Sequence, residues 1–493
     1  MVTRKAAGAA PVPASRAKKR PATGSGTAGS AIARNANARA AAKTATTGHT
    51  TTTTKPPRLA TDPLDLSQVA ADSAATIDRV ERSLKGGAGP HPGAADATPR
   101  ARKAVLAPGA SRLPYERIAL VLQGGGALGS YQAGVYEGLA ENGIHPDWVS
   151  GISIGALNSA IIAGNAPKDR VDQLRGFWQT ITQPGFSFGN AEIVQSMIER
   201  LDGDLRRAAN GFEAWRAIVE GQFGFFYPRI PPPFPGSKLP PNLLSYYDTS
   251  VLKSTLERFA DFDRINSGET RVSVSAVDVR SGNVRVFDSA DTRLVPEHFM
   301  ASGALPPGFP AIEIEGRFYW DGGLVTNTPL FPVLLERPRA DTLVFQVDLF
   351  SARGPLPQDL AEVEARRKDI TFSSRTRMAT QYMEELARHR QLLREVLASV
   401  PASAAQQSRW CQEARELVSH KQYNIIHLIY RSRPFEGSSK DYEFSPVTMR
   451  DHWKSGLADF RQTREHPDWF DLPPPEQEYV THDVHRRSDG GQS

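Results

Sequence analysis

Among 493 residues there is a single cysteine, Cys411. That excludes an internal disulfide and any paired-cysteine metal site, and so sparse a thiol content fits a reducing compartment. No run of about eighteen apolar residues occurs, so no membrane-spanning helix is expected. Nor does an apolar core follow the N-terminal charges in the way a secretory leader requires. The eleven histidines are dispersed, with no H-E-x-x-H pairing and no calcium loop. Neither a metal nor any other cofactor is therefore expected. Acidic residues are missing altogether from positions 1–58, which hold eleven Lys or Arg among Ala, Thr, Pro and Gly. Such a stretch cannot bury enough apolar surface to offset its ordering entropy.

Residues 1–112 are accordingly expected to form a disordered basic tail, with one short helix over Asp65–Lys85 that Gly86–Pro99 would end. The tail has the Ala and Arg of a mitochondrial presequence. Its frequent Pro and Gly break any sustained amphipathic helix, which counts against import. Up to Arg112 there are eighteen basic and six acidic residues, and beyond it forty-one and forty-eight. The overall charge of +5 thus hides a mildly acidic folded part. These features point to a cytoplasmic chain whose tail is the candidate for peripheral membrane or polyanion contact, with no sign of specific nucleic-acid recognition. Oligomeric state is not legible.

What the chain does have is concentrated in Arg117–Asn165. Ile118-Ala119-Leu120-Val121-Leu122 is an apolar run of the kind buried on both faces of a parallel sheet, and it stops at Gln123-Gly124-Gly125-Gly126-Ala127-Leu128-Gly129. Tyr131, Val135, Tyr136 and Leu139 then fall on one helical stripe, so the glycine loop lies between a strand end and a helix start, where backbone N–H groups are unpaired. Trp148-Val149-Ser150 leads into Gly151-Ile152-Ser153-Ile154-Gly155, and a small-residue helix follows over Ala156–Ala163. Gly-x-Ser-x-Gly at a strand-to-helix corner is the pattern of a nucleophile elbow, because side chains two residues either side of a strained serine would collide. Gly124-x-Gly126-x-x-Gly129 also fits a dinucleotide fingerprint, but an acidic residue near position 147 would precede the next strand instead of ending it. No Gly-Lys-Ser/Thr follows the glycines, which removes a Walker loop.

Beyond the elbow, helices are expected over Val171–Thr182 and Ala191–Leu205. Gly211–Tyr247 concentrates aromatics around Pro231-Pro232-Pro233 and reads as irregular, either covering a sheet edge or forming a cap that lines an acyl channel or touches a membrane. Thr249–Phe259 reads as a helix, Arg271–Val277 and Val284–Phe287 as strands paired about Ser281-Gly282-Asn283, and Leu343–Val347 as a buried strand. Phe372–Val400 is expected to be the longest helix, stopped by Pro401. Tyr423–Tyr430 reads as a last strand and Ser445–Arg464 as a last helix.

Taken with Ala301-Ser302-Gly303-Ala304-Leu305-Pro306-Pro307-Gly308-Phe309-Pro310 and Trp320-Asp321-Gly322-Gly323-Leu324-Val325-Thr326-Asn327-Thr328-Pro329, the glycine loop and the elbow resemble the ordered motifs of the patatin-like phospholipases, a family of serine acyl hydrolases. The resemblance spans Arg117–Asp348. It implies a three-layer α/β/α fold with a mostly parallel central sheet, a catalytic domain over 113–350, and a C-terminal helical extension with one strand over 351–493, as in some bacterial members. It further implies Ser153 as nucleophile and Asp321 as proton acceptor, a Ser-Asp dyad in place of a triad. Gly124, Gly125, Gly126 and Gly129 would form the oxyanion-hole motif, with Gly125 and Gly126 as donors aided by Ile154; Gly151 and Gly155 would flank the elbow, and Gly322 and Gly323 the aspartate. Most members carry Arg or Lys where this chain has Leu128, whose side chain is expected to face solvent. Chain order alone also allows a Ser-Asp-His triad with His427 or His452. Phospholipids, lysophospholipids and other carboxylic esters, polyesters included, all remain open as substrates, as does a weakly active lipid-binding scaffold.

Deleting residues 1–110 is expected to leave the melting temperature and the hydrolysis of a soluble short-chain ester unchanged. A clear drop in either, measured by calorimetry and an ester assay, would show that the tail belongs to the folded unit.

Overall fold

A computed structural model describes residues 113–483, apart from 184–194, 196, 197, 202, 375, 434 and 476. The tail, the Asp65–Lys85 helix and seven of the fifteen residues of the expected Ala191–Leu205 helix lie outside the described residues. Strand β1 (Arg117–Leu122) is the middle of the architecture, because alternate side chains feed two different cores. Leu120 and Leu122 pack with Val149, Leu157, Ile161, Phe345 and Ile426 on one face of the sheet. Ala119 and Val121 pack with Trp148, Val333, Val344, Met383 and Ile425 on the other. Both faces are thus apolar, which is why the strand reads as an unbroken hydrophobic run.

In chain order the remaining strands are β2 (Trp148–Gly151), β3 (Tyr227–Pro228), β4 (Tyr247–Asp248), β5 (Arg271–Asp278), β6 (Val284–Asp288), β7 (Ile312–Ile314), β8 (Arg317–Asp321), β9 (Thr342–Asp348), β10 (Tyr423–Ile429) and β11 (Tyr479–Asp483). Nine of them form one sheet in the order β11-β10-β9-β1-β2-β5-β8-β7, with β6 paired to β5. From β11 to β5 every neighbour is parallel; β6, β7 and β8 are antiparallel additions. β3 and β4 make a separate two-stranded ribbon. One sheet face is covered by the helices Ser130–Glu141, Ile154–Ala163, Arg170–Ile181 and Pro446–Thr463, the other by Thr376–Ser399. This is a mixed α/β fold with a mostly parallel central sheet. The Ser130–Glu141 and Pro446–Thr463 helices come very close: a Cβ on Gly134 would lie 2.0 Å from the Trp453 carbonyl, and one on Gly456 2.0 Å from that of Tyr131.

Several readings need correction. The helix in the aromatic region runs Gly203–Glu220, through the stretch read as irregular. Its buried side combines Arg206, Asn210 and Arg216 with the small Ala214 and Ala217, so no stripe of large apolar side chains is the packing face. The expected Phe372–Val400 helix runs Thr376–Ser399 and is the longest, and an unforeseen helix, Leu360–Phe372, precedes it; Asp359 caps that one by accepting from the Glu362 N–H at 2.7 Å. A second C-terminal strand, β11, joins the sheet beside β10, and the β7–β8 hairpin delivers Asp321. Leu128 does not face solvent: it is wholly buried among Tyr131, Ile154 and their neighbours. The turn after β1 winds directly into the Ser130–Glu141 helix, which rolls position 128 under the loop.

Leu128→Arg is consequently expected to destabilise the fold by on the order of 3 kcal/mol or more, since it buries a charge without a partner, whereas Leu128→Met should cost under about 1.5 kcal/mol. Equal denaturation midpoints for the two variants would show that position 128 reaches water.

Candidate active site

The register of the sheet sets the C-terminal ends of β9, β1 and β2 level, with Val347 beside Leu122 and Leu122 beside Gly151. Loops leaving parallel strands at such an edge converge, and here they meet at Ser153. Its backbone sits at φ 55, ψ −125, a region that costs an L-residue about 1–3 kcal/mol and persists only when its surroundings hold it. The surroundings do so. The Ser153 N–H donates to both the carbonyl and the hydroxyl of Ser302, each at 3.1 Å, and the Ser302 hydroxyl donates to the Ser275 carbonyl at 2.8 Å. A Cβ on Gly151 would lie 2.4 Å from the Gly155 carbonyl, and one on Gly155 2.3 Å from the carbonyl of Leu122. The two glycines therefore let the turn close on itself and on β1.

The glycine loop lies against this turn: a Cβ on Gly124 would sit 3.0 Å from that of Ser153. Asn327 clamps the loop from outside. Its carbonyl accepts the Gly124 N–H at 3.1 Å, and its amide donates to the Gly124 carbonyl at 3.0 Å and to that of Phe372 at 2.8 Å. Gly124 therefore has no N–H to offer a ligand. Gly129 has a packing role, with a Cβ there falling 2.5 Å from Ile154. Gly126 has φ +56, and a Cβ on it would collide with the Asp441 carbonyl, which accepts the Ala127 N–H at 2.8 Å. Among the described residues no acceptor takes the N–H groups of Gly125, Gly126 or Ile154.

Asp321 ends β8 and is buried. One carboxylate oxygen accepts the Gly323 N–H at 2.7 Å, and the carboxyl group lines the same cavity as Ser153, whose hydroxyl favours its ionised form. Burial raises its pKa from the ordinary carboxylate value to about 7, and the Gly323 N–H and Ser153 hydroxyl offset only part of that rise. Gly322 fits between this turn and β5, where a Cβ would lie 2.5 Å from the Ser275 carbonyl.

Ser153, Asp321, Gly125 and Gly126 open onto a cavity of about 300 Å³. Its walls are apolar: Leu157 and Leu252 from helices, Phe225, Phe226 and Tyr247 from the aromatic segment, Phe309, Phe350 and Phe372, and Tyr442 and Phe444 from the C-terminal region. Phe226 meets the rings of Tyr247 and Phe309 at 4.9 and 5.1 Å, edge-on or tilted. The charged residues of the lining are Asp321 and Asp441; no Lys, Arg or His is among them.

Reasoning from the sequence missed Ser302, Asn327 and the C-terminal wall. Ser302 and Asn327 stand inside the motifs quoted above, so their proximity to the site was available although their roles were not. Nothing in the sequence pattern tied Asp441 or Phe444 to the glycine loop. The histidines lie elsewhere. His427 Nε2 is 2.5 Å from Asp348 Oδ2, His452 Nε2 is 2.8 Å from Glu436 Oε1, and the His298 ring pairs with the backbone of Val295. Among the described residues no group of three His, Cys, Asp or Glu could hold a metal ion, and no helix is long and apolar enough to cross a membrane.

A family model described as patatin-like phospholipase matches residues 120–334, and a second, described as patatin phospholipase, matches 370–476. A search of curated proteins finds no match. Among solved structures, VipD from Legionella pneumophila is similar at 15% identity and a TM-score of 0.30, over 71% of this chain and 67% of that one. Full-length ExoU of Pseudomonas aeruginosa, from its type III secretion system and in complex with full-length SpcU, is similar at 18% identity and a TM-score of 0.20, over 53% of this chain and 50% of that one. Scores that low carry no argument.

Because the folded state holds the Asp321 proton up to about pH 7 while the unfolded chain releases it near the ordinary carboxylate value, this group lowers stability progressively as pH rises between the two. Asp321→Asn removes that loss. Its stability advantage over the parent is expected to grow by on the order of 2 kcal/mol between about pH 5 and pH 8 in chemical denaturation. A pH-independent difference would show that the carboxyl group is not held in its neutral form.

Proposed function

We propose, from the premise that the chain belongs to the patatin-like phospholipase family and is a lipid acyl hydrolase, that it cleaves carboxylic esters through a Ser153–Asp321 dyad and an acyl-enzyme. The observation that carries this reading is that Ser153 and the buried carboxyl group of Asp321 share the wall of one apolar cavity. Ser153 Oγ attacks the ester carbonyl while Asp321 takes its proton. Asp321 returns that proton to the departing alcohol, and a water deprotonated by the same carboxylate then releases the acid. The free N–H groups of Gly125, Gly126 and Ile154 suit the negative charge that develops on the carbonyl oxygen, and one such donor is typically worth ~3 kcal/mol. A base with its pKa near 7 is matched to work near neutrality, since it is ionised there yet still basic enough to accept a proton. The remoteness of His427 and His452 from the cavity, each with its own carboxylate partner, supports a dyad over a triad.

An apolar cavity of this size suits an acyl chain. With no cation in its lining and Leu128 in place of the usual Arg or Lys, no charged side chain inside it would pair with a phosphate. That favours neutral carboxylic esters alongside phospholipids, and makes a carboxylesterase the second reading. The same proposal treats 113–350 as the catalytic domain and 351–493 as an extension that walls the cavity with Tyr442 and Phe444.

Ser153→Ala is expected to abolish both ester hydrolysis and labelling by a fluorophosphonate, and full labelling of that variant would reject the assignment. Asp321→Asn should lose several orders of magnitude in kcat/KM, while His298→Gln, His427→Gln and His452→Gln each keep most of the activity per folded molecule. A histidine variant as inactive as Asp321→Asn would overturn the dyad. In the parent, kcat/KM should rise about tenfold per pH unit below about pH 7 and then level, as ionisation of a single base requires.

A further inference from the structure

The Gly203–Glu220 helix turns Arg206, Asn210 and Arg216 inward with two alanines, Ala214 and Ala217, and leaves its large apolar side chains outward. Arg206 donates to Asp451 at 3.0 Å, to Asn210 at 3.1 Å and to the Ile198 carbonyl at 2.8 Å, while Arg216 pairs with Glu213 at 2.8 Å and Glu220 at 3.4 Å. From Ala208 onward every exposed position on this helix is uncharged and apolar: Ala208, Gly211, Phe212, Trp215, Ile218 and Val219. Phe212 is 59% exposed and Trp215 56%, their rings 5.9 Å apart. The segment that follows continues the face with Tyr227, Ile230, Phe234 and Tyr246, of which Ile230 is 89% and Phe234 73% exposed. It is tied to the helix end by the Gly221 N–H donating to Ala217 at 3.0 Å and the Tyr247 hydroxyl donating to Ile218 at 2.9 Å.

This face is continuous with the entrance to the cavity. Ile218 and Leu305 both line the cavity and remain exposed, at 47% and 37%, so they mark its mouth, and Ile218 belongs to the outward row of the helix. A charge-free row carrying Trp, flanked by the exposed Tyr227 and Tyr246, has the chemistry of the headgroup–acyl boundary, where an amphipathic ring places one end in hydrocarbon and the other in water. A single apolar side chain on a surface needs no explanation, but a contiguous one at the mouth of a lipid-cleaving cavity does.

We infer that the outward face of the Gly203–Glu220 helix and the segment to Tyr246 docks this enzyme on a phospholipid bilayer, bringing the mouth at Ile218 and Leu305 against the membrane so that an acyl ester passes into the cavity without crossing water. The inference rests on the reading of the cavity as the acyl site. It places membrane contact on the folded unit and makes it hydrophobic, hence insensitive to salt, in contrast to any attraction of the basic N-terminal segment.

The test uses the full chain carrying Ser153→Ala, so that lipid is not consumed, in flotation with phosphatidylcholine vesicles at high salt. Adding Phe212→Glu and Trp215→Glu is expected to lower vesicle partitioning at least ~tenfold, and Ile230→Glu with Phe234→Glu should lower it as well. With Ser153 restored, the Phe212→Glu/Trp215→Glu variant should hydrolyse a monomeric short-chain ester at the parent rate but a vesicle-embedded ester more slowly, in proportion to lost binding. Undiminished flotation of both variants overturns the proposal. So does a change from dimer to monomer in light scattering with flotation unaltered, which would mean that a second copy covers this face. If the parent fails to cleave the soluble ester while flotation still depends on Phe212 and Trp215, the catalytic reading falls and the docking surface stands.

Discussion

The left-handed turn at Ser153 is the constraint on which the rest of the site depends. A serine at φ 55 does not stay there unaided, and each neighbouring loop contributes to holding it. β1 presents the Leu122 carbonyl against Gly155, Ser302 receives the Ser153 N–H twice, and the glycine loop packs directly on the serine. What the turn achieves is exposure: the hydroxyl stands clear of the helix that follows, at the one point where Asp321 and the free N–H groups of Gly125, Gly126 and Ile154 share a cavity.

Beneath the glycine loop, the loops that converge are joined by a buried polar network. The Gln123 side chain accepts the N–H groups of Leu349 and Phe350 at 2.6 and 2.9 Å and donates to the Thr328 hydroxyl at 2.9 Å and the Phe372 carbonyl at 3.1 Å. Thr328 in turn reaches Asp348, and Asp348 is held by His427 and Ser374. One glutamine thereby fixes the ends of β1 and β9 and the segment after Asp321 relative to one another. Each such bond adds only about 1 kcal/mol net, but an orphaned member would cost about 1–3 kcal/mol, so the network specifies one arrangement more than it stabilises it. This accounts for His427 without assigning it any chemistry.

Legibility followed periodicity and motif. β1 was readable because its apolar run is unbroken, β9 and β10 because theirs are mostly apolar, and β5 because its apolar residues alternate with serine; the elbow at Ser153 was readable because glycine spacing has a steric cause that the structure reproduces at Gly151 and Gly155, whereas Asp321 came from the resemblance. The Gly203–Glu220 helix escaped because its aromatics were read together with Pro231-Pro232-Pro233 as one irregular segment, and because its inward side, Arg206, Asn210, Ala214, Arg216 and Ala217, carries no large apolar stripe. Leu128 was misplaced for a different reason: loop glycines suggest an exposed turn, but the loop winds straight into the Ser130–Glu141 helix and turns its leucine under the surface. The Asp441 contact is long-range and made through the backbone, so no side-chain pattern encodes it.

That contact changes how the C-terminal region should be understood. Gly126 could take its positive φ with any acceptor nearby, yet the oxygen that occupies the space of its missing Cβ, and that receives the Ala127 N–H, belongs to Asp441, more than 300 residues away. The loop bearing Asp441 is itself anchored. Lys368 donates to the Ser438 carbonyl at 2.7 Å and to the Asp441 carboxylate at 2.8 Å, and the buried Lys440 pairs with Asp369 at 2.5 Å. Both anchoring partners sit on the Leu360–Phe372 helix, whose last residue lines the cavity and accepts from Asn327 and Gln123. The glycine loop is therefore gripped from two sides by residues beyond 360. A chain cut after β9 would keep Ser153, Asp321 and the three free N–H groups in sequence but lose the acceptors that orient the loop carrying two of them. The separate match of residues 370–476 to a patatin phospholipase model agrees with this dependence, for that stretch supplies half of the grip and part of the cavity wall.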